Sequence, residues 1–145
     1  MKTYSEAQDS LFSVIQDCIN SESEALLGYV PAIVWPGTQP ANPMPTEKIF
    51  VQVDRVTLSE EQSTLKGVNK RFTTSGLCTI MVYGPTGVAK SLQNCQSLAV
   101  LIRDAFRDDT TSGLWYRDAQ VRESPIDGTS ILARTLVNYE YDEIR

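Results

Sequence analysis

The run Gly76-Leu77-Cys78-Thr79-Ile80-Met81-Val82-Tyr83 is apolar at odd and even positions alike. Successive side chains of a strand point to opposite faces, so a strand of this composition must be covered on both sides. The remaining chain offers cover for one side only. Helical periodicity appears in residues 5–23 and 86–109, and two helices blanket a single face of a sheet. The second face therefore needs something from outside the chain, and a neighbouring subunit is the economical choice.

The first helix is expected over residues 5–23. Leu11, Phe12, Val14, Ile15, Cys18 and Ile19 recur at helical spacing, Ser5 with Gln8 makes a capping box, and Gly28 lies beyond the frayed end. Residues 29–35 form a short strand around Val30, Ile33 and Val34, and Pro36, Pro40, Pro43 and Pro45 then break regular structure. A strand over 48–58 follows, with Ile49, Val51 and Val53 on one face. Val56 and Leu58 have the opposite parity, so either a bulge shifts the register or the strand end projects as an arm toward a partner. Residues 59–64 are polar and turn-like, and the chain returns through Lys70, Arg71 and Phe72, closing a long hairpin.

In the second helix Leu92, Cys95, Leu98, Ala99, Ile102 and Phe106 form one stripe, and Asp104 and Arg107 are spaced for a surface ion pair. Strands over 114–122 and 130–141 are joined by the turn Ser124-Pro125-Ile126-Asp127-Gly128. In the last strand Ile131, Ala133, Val137, Tyr139 and Tyr141 share a face. The expected architecture is a single α+β domain over residues 1–145, with one mixed or antiparallel sheet of about five strands, two packing helices and a protruding hairpin.

Composition narrows the chemistry. Of 145 residues none is histidine, which removes Ser-His and Cys-His nucleophile activation and the commonest zinc ligand. The cysteines Cys18, Cys78 and Cys95 lack a CxxC spacing and sit in apolar register as core thiols do. A net charge of −5 gives no electrostatic reason to grip nucleic acid or an anionic membrane; the densest basic group, Lys66, Lys70 and Arg71, reads as a solvated hairpin. The first residues lack an apolar signal core and no window approaches the ~18 apolar residues of a membrane span, so a cytosolic, reducing compartment is expected.

One motif tempts a catalytic reading. Gly84-Pro85-Thr86-Gly87-Val88-Ala89-Lys90-Ser91 nearly fits a phosphate loop between a strand and a helix. Ala89 stands where the second glycine belongs, Pro85 has no N–H to offer, and no later strand ends in a magnesium-binding aspartate. A strand-to-helix turn is the better reading. The carboxylate pairs Glu60/Glu61, Asp108/Asp109 and Asp142/Glu143 lie at element ends and read as solvated surface. Trp35, Trp115 and Tyr116 lie near strand ends, where aromatics rim cores or anchor interfaces. No catalytic, cofactor-binding or metal-binding residue is expected.

The order of these pieces resembles the tail-terminator family of long-tailed bacteriophages. The resembling features are the N-terminal helix, Ile33-Val34-Trp35-Pro36-Gly37 before the proline-rich loop, and Phe50-Val51-Gln52-Val53. They continue with the run 76–83 followed by Gly84-Pro85 and Gly87, the helix ending Ala99-Val100-Leu101-Ile102-Arg103-Asp104-Ala105-Phe106, and the closing Leu136-Val137-Asn138-Tyr139-Glu140-Tyr141. The likeness covers nearly the whole chain as layout and apolar pattern. It implies a ring, usually of six subunits, stacked between the tail tube protein and a neck or head-completion protein, beside a sheath protein where the tail contracts. It also implies a virion location after assembly in the host cytoplasm, and double-stranded DNA passing without specific binding.

These readings lead to a structural ring protein of a tail or neck. A head-completion or neck protein (stopper or adaptor) is the alternative of the same kind, and a phosphate-loop nucleotide-binding module is the rival of another. Interface residues are expected among Trp35, Val56, Leu58, Lys70, Trp115 and Tyr116, and channel-lining acids among Glu60, Glu61, Asp108 and Asp109.

Overall fold

The computed structural model describes residues 3–37, 48–62, 71–86, 90–110, 113–123 and 130–144. The elements are α1 (Tyr4–Leu27), β1 (Ala32–Val34), β2 (Phe50–Gln62), β3 (Arg71–Pro85), α2 (Ser91–Asp108), β4 (Trp115–Glu123) and β5 (Ser130–Ile144). The strands form one five-stranded sheet in the order β1-β2-β3-β5-β4. β1 runs parallel to β2, and every other neighbouring pair is antiparallel. This is the α+β fold the apolar periodicity called for.

The helix α1 starts earlier than the Ser5–Gln8 spacing suggests. The Thr3 hydroxyl accepts from the Glu6 amide at 3.2 Å, while the Glu6 carboxylate accepts from the Thr3 amide at 3.0 Å, so the capping box belongs to this pair. An anion in the first turn also suits the positive end of the helix dipole, which Gln8 would not provide. The helix runs on past Ser23, whose hydroxyl turns back onto the Ile19 carbonyl, because Leu26 and Leu27 still have core to pack against. It ends where Gly28 takes φ of 79° and donates its amide to the Glu24 carbonyl at 2.8 Å.

One face of each helix meets the inner face of the sheet. Leu11, Ile15 and Ile19 of α1 and Leu98, Ala99, Ile102 and Phe106 of α2 are buried against Val51, Val53, Cys78, Ile80 and Val82. A fully buried leucine or isoleucine contributes about 1.5–3 kcal/mol relative to exposure, so this layer supplies most of the driving force. On β5 the expected row Ile131, Ala133, Val137, Tyr139 and Tyr141 is buried, and Thr135 joins it by donating its hydroxyl to the Ala99 carbonyl at 2.8 Å.

Several expectations need correcting. The first strand is only Ala32–Val34. α2 begins at Ser91 and not at Thr86, and Leu92 lies off the buried stripe at 43% exposure. Asp104 pairs with Arg103 at 3.1 Å, while Arg107 reaches across to donate to the Ala119 carbonyl at 2.8 Å. Ser59 to Gln62 are not a turn but the continuation of β2. The connections at 38–47, 63–70, 87–89, 111–112 and 124–129 lie outside the described residues, and with them most of the proline-rich loop, the hairpin tip with Lys70, and the Pro-Xaa-Asp-Gly turn.

β2 carries a bulge, but the parity change precedes it: Val56 pairs with Leu77 in the unbroken register and lies on the face away from the helices. Thr57 pairs with Gly76 and Ser59 with Ser75, leaving Leu58 without an opposite residue. Beyond it β2 stays paired as far as Gln62 with Phe72, and β5 lines the other side of β3 out to Arg71. The arm is thus three strands wide at its base, stiffer than a lone hairpin would be.

Candidate interaction surface

The registers assign every strand residue to a face. Cys78, Ile80 and Val82 face the helices, so Leu77, Thr79, Met81 and Tyr83 face away from them. Their partners on that outer face are Val56, Asp54, Gln52 and Phe50 of β2 and Asn138, Leu136, Arg134 and Leu132 of β5. Phe50 stacks on Tyr83 at a centroid distance of 5.0 Å, and the Tyr83 hydroxyl donates to the Met81 sulfur at 3.5 Å. Both helices pack on the inner face, and among the described residues no element lies over the outer one. The run 76–83 is therefore apolar on a side that no described element covers.

At the margins of that face the exposure is greatest. Val56 is 55%, Leu58 62% and Trp115 52% exposed, and all three were expected at an interface. A hollow of about 290 Å³ beside the bulge is lined by Leu58, Ser75, Gly76, Asn138 and Glu140 together with Arg117 and Asp118 of β4. Trp35 and Tyr116 have inward contacts instead. Trp35 packs against Phe12 of α1 at 4.9 Å, and Tyr116 meets Phe106 of α2 edge-on at 5.1 Å.

The acids fall into separate places. Asp108 and Asp109 line a groove of about 630 Å³ between the antiparallel helices, together with Asp17, Glu22 and Asp104. Glu60 lies on the arm beside Phe72, Thr74 and Glu143, and Glu61 is exposed next to it. Asp142 departs from the solvated expectation. It is buried, with an ion pair to Arg71 and a 2.8 Å hydrogen bond from the Thr73 hydroxyl. Burial pushes its carboxyl up, but the bonds from Arg71 and Thr73 outweigh it and hold the group below its ordinary value.

Sequence patterning missed the linkage beneath the bulge. Arg55 donates from Nε to the Tyr139 hydroxyl at 2.6 Å and from Nη1 to the Gln8 side chain at 2.9 Å. Its guanidinium also lies 4.4 Å from the Tyr4 ring centroid and 5.3 Å from that of Tyr139. Among the described residues it has no carboxylate partner. This cation ties the start of α1 to β2 and β5 at the base of the arm. The available signals were an arginine in an apolar alternation and a glycine, Gly76, inside a strand.

The chemistry around the cysteines is that of packing. Burial pushes the thiols of Cys18 and Cys95 up to about 11 and that of Cys78 up to about 12. A thiol with a pKa of 11 is about one part in a thousand thiolate at pH 8, against roughly a quarter for an ordinary one. We expect Ellman's reagent to label none of the three cysteines within minutes at pH 8 in the folded protein, and all three in denaturant. Fast labelling of one folded thiol would reveal an activated nucleophile.

The phosphate-loop reading fares poorly on topology. A phosphate loop belongs to a strand–loop–helix unit of a parallel sheet, whereas β3 is antiparallel to both of its neighbours. A Cβ at Gly84 would strike the Cys95 sulfur, so the strand end is filled by the helix side chain. Residues 87–89 lie outside the described residues. Among the described residues no helix is long and apolar enough to cross a membrane, and no group of histidine, cysteine and acidic residues could hold a metal ion.

No family model matches the chain, and no curated protein does. Among solved structures it is similar to one named without any indication of function, with a TM-score of 0.57 at 10% identity. The match covers 95% of this chain and 95% of the other. At that identity the likeness speaks for the fold alone: a layout of two helices on one side of a sheet that recurs in a distant sequence.

Proposed function

We propose that this chain is a structural ring protein of a bacteriophage tail or neck, capping the tail tube and joining it to the head–neck complex. The observation that carries the reading is the outer sheet face. Phe50, Leu77, Met81, Tyr83, Leu132 and Leu136 lie on it with no covering element among the described residues, and Val56, Leu58 and Trp115 stand exposed at its margins. Apolar side chains grouped on an uncovered sheet face in this way mark a surface that is buried on association. The resemblance in layout to the tail-terminator family supplies the setting: a ring, usually a hexamer, between the tail tube protein and a neck protein, with a sheath protein beside it if the tail contracts.

In this reading the protein is not an enzyme and needs no cofactor. It resides in the virion after assembly in the host cytoplasm, and its net charge of −5 lets double-stranded DNA pass without being held. Light scattering over a range of concentrations tests the proposal. The mass should rise from 16.1 kDa to a plateau at a whole multiple of it. A mass of one chain at every concentration would remove the ring. Micromolar binding of Mg-ATP, lost in Lys90→Ala, would replace it with the nucleotide-binding rival.

A further inference from the structure

We infer that copies of this chain join front to back, the arginine-bearing outer face of β4 and β5 on one copy seating on the acidic groove between α1 and α2 of the next. The inference rests on the ring reading and adds which two surfaces make the joint.

The arginines are what the outer face leaves unexplained. Arg122 lies directly opposite Arg134 on the neighbouring strand, and like charges so placed destabilise a sheet. Both are exposed, and among the described residues neither makes an ion pair. Arg117, on the same face, reaches Glu140 only at 3.7 Å and keeps 70% of its side chain in solvent. Between the two charged ends stands the half-buried Leu136, beside Gln120. The strip thus reads cation, apolar, cation over about 13 Å, since Arg134 and Asn138, the β5 partners of its ends, are four residues apart.

The groove answers with the opposite sign. It holds about 630 Å³ and is lined by Asp17 and Glu22 of α1 and by Asp104 and Asp108 of α2. Val14, Leu101 and Ala105, all half-buried, lie among them. Asp104 has Arg103 beside it, whereas Asp17, Glu22 and Asp108 have no cationic partner among the described residues. From Ser10 to Glu22 the groove runs about 18 Å along α1, long enough for the whole strip. Because the strip is charged at both ends and the groove carries acids along its length, the match holds with the strands running either way. Arginines meet carboxylates, and Leu136 meets the apolar side chains between them.

Each surface carries the counter-charge that the other lacks, and both belong to this chain. The helices lie on the inner face of the sheet and the arginines on the outer face, so strip and groove can meet only between copies. Strip against strip would set arginines on arginines, and groove against groove acids on acids, which disfavours contacts between like surfaces. Contact between unlike surfaces is heterologous, and when its rotation closes it builds a ring. The joint also brings the helices of one copy onto the outer sheet face of the next, the second layer that the two-sided run 76–83 calls for.

Charge exchange on the full chain tests this by sedimentation velocity of the purified protein. Association of the parent should weaken as salt rises from about 50 to about 150 mM. R117E/R122E/R134E alone and D17K/E22K/D108K alone should each raise the dissociation constant about tenfold or more, with thermal midpoints close to the parent's. The variant carrying both sets should return to within about threefold of the parent, the rescue expected of groups that face each other. Should a reversal fail to fold, R117Q/R122Q/R134Q and D17N/E22Q/D108N give the same sign with a smaller shift. If the parent assembles but salt has no effect, either reversal leaves it unmoved, or the exchanged variant is no better than its halves, strip and groove do not face each other and the inference falls. A parent that stays a single chain at every concentration would remove the ring reading itself, a result distinguishable from these.

Discussion

Gly76→Ala should destabilise the folded chain by about 3 kcal/mol or more, at the upper end of what overpacking costs. A Cβ at this position would strike the hydroxyl and Cζ of Tyr139 and come within 2.6 Å of the Val56 carbonyl oxygen. The carbonyl belongs to the backbone of β2 and cannot step aside without breaking the pairing of Val56 with Leu77. Tyr139 cannot yield cheaply either, since its hydroxyl holds Arg55, and Arg55 holds Gln8 and Tyr4 at the start of α1. Against a total stability of 5–15 kcal/mol the loss is large, and a urea midpoint measures it directly. An unchanged midpoint would mean that Tyr139 does not lie over Gly76.

The double variant Val56→Asp with Leu58→Asp should lose self-assembly while remaining folded. Both side chains are more than half exposed, so in the single chain their replacement is close to neutral, within about 0.5 kcal/mol each apart from strand propensity. In an interface each becomes a buried apolar contact replaced by a desolvated carboxylate. An unpartnered carboxylate taken out of water costs about 1–3 kcal/mol on top of the apolar contact it replaces, so the pair should weaken association about 10²-fold. Sedimentation velocity reads the association, and circular dichroism reads the fold. Assembly as tight as the parent's would make these residues solvated ornaments of the arm.

What the apolar pattern could report, it reported through periodicity. The two-sided run 76–83 indicated a strand needing a second cover, and the parity change at Val56 and Leu58 indicated a bulge or an arm. The structure has a bulge at Leu58 and a strand that continues past it to Gln62. The errors come from interactions that periodicity does not encode. Thr3–Glu6 and Ser5–Gln8 are competing caps with the same spacing, and the choice falls to the carboxylate's charge. Asp142 looked solvated because its partners, Arg71 and Thr73, lie on a strand far away in sequence. Arg55 and Tyr139 are 84 positions apart, and no local rule predicts that they bond.

The exposure of these side chains was legible in part for the same reason. Val56 and Leu58 are exposed where local parity put them out of register with the core, and Trp115 is exposed at a strand end. Trp35 and Tyr116 sit at similar strand ends but find aromatic partners on the helices, a long-range outcome that position in a strand does not reveal.

Negative-stain electron microscopy of the purified protein tests the central claim most directly. The account predicts closed rings of uniform diameter with a central opening, in every field and at a constant subunit number. Isolated particles the size of one 16.1 kDa chain, compact dimers without an opening, or filaments that never close would contradict it.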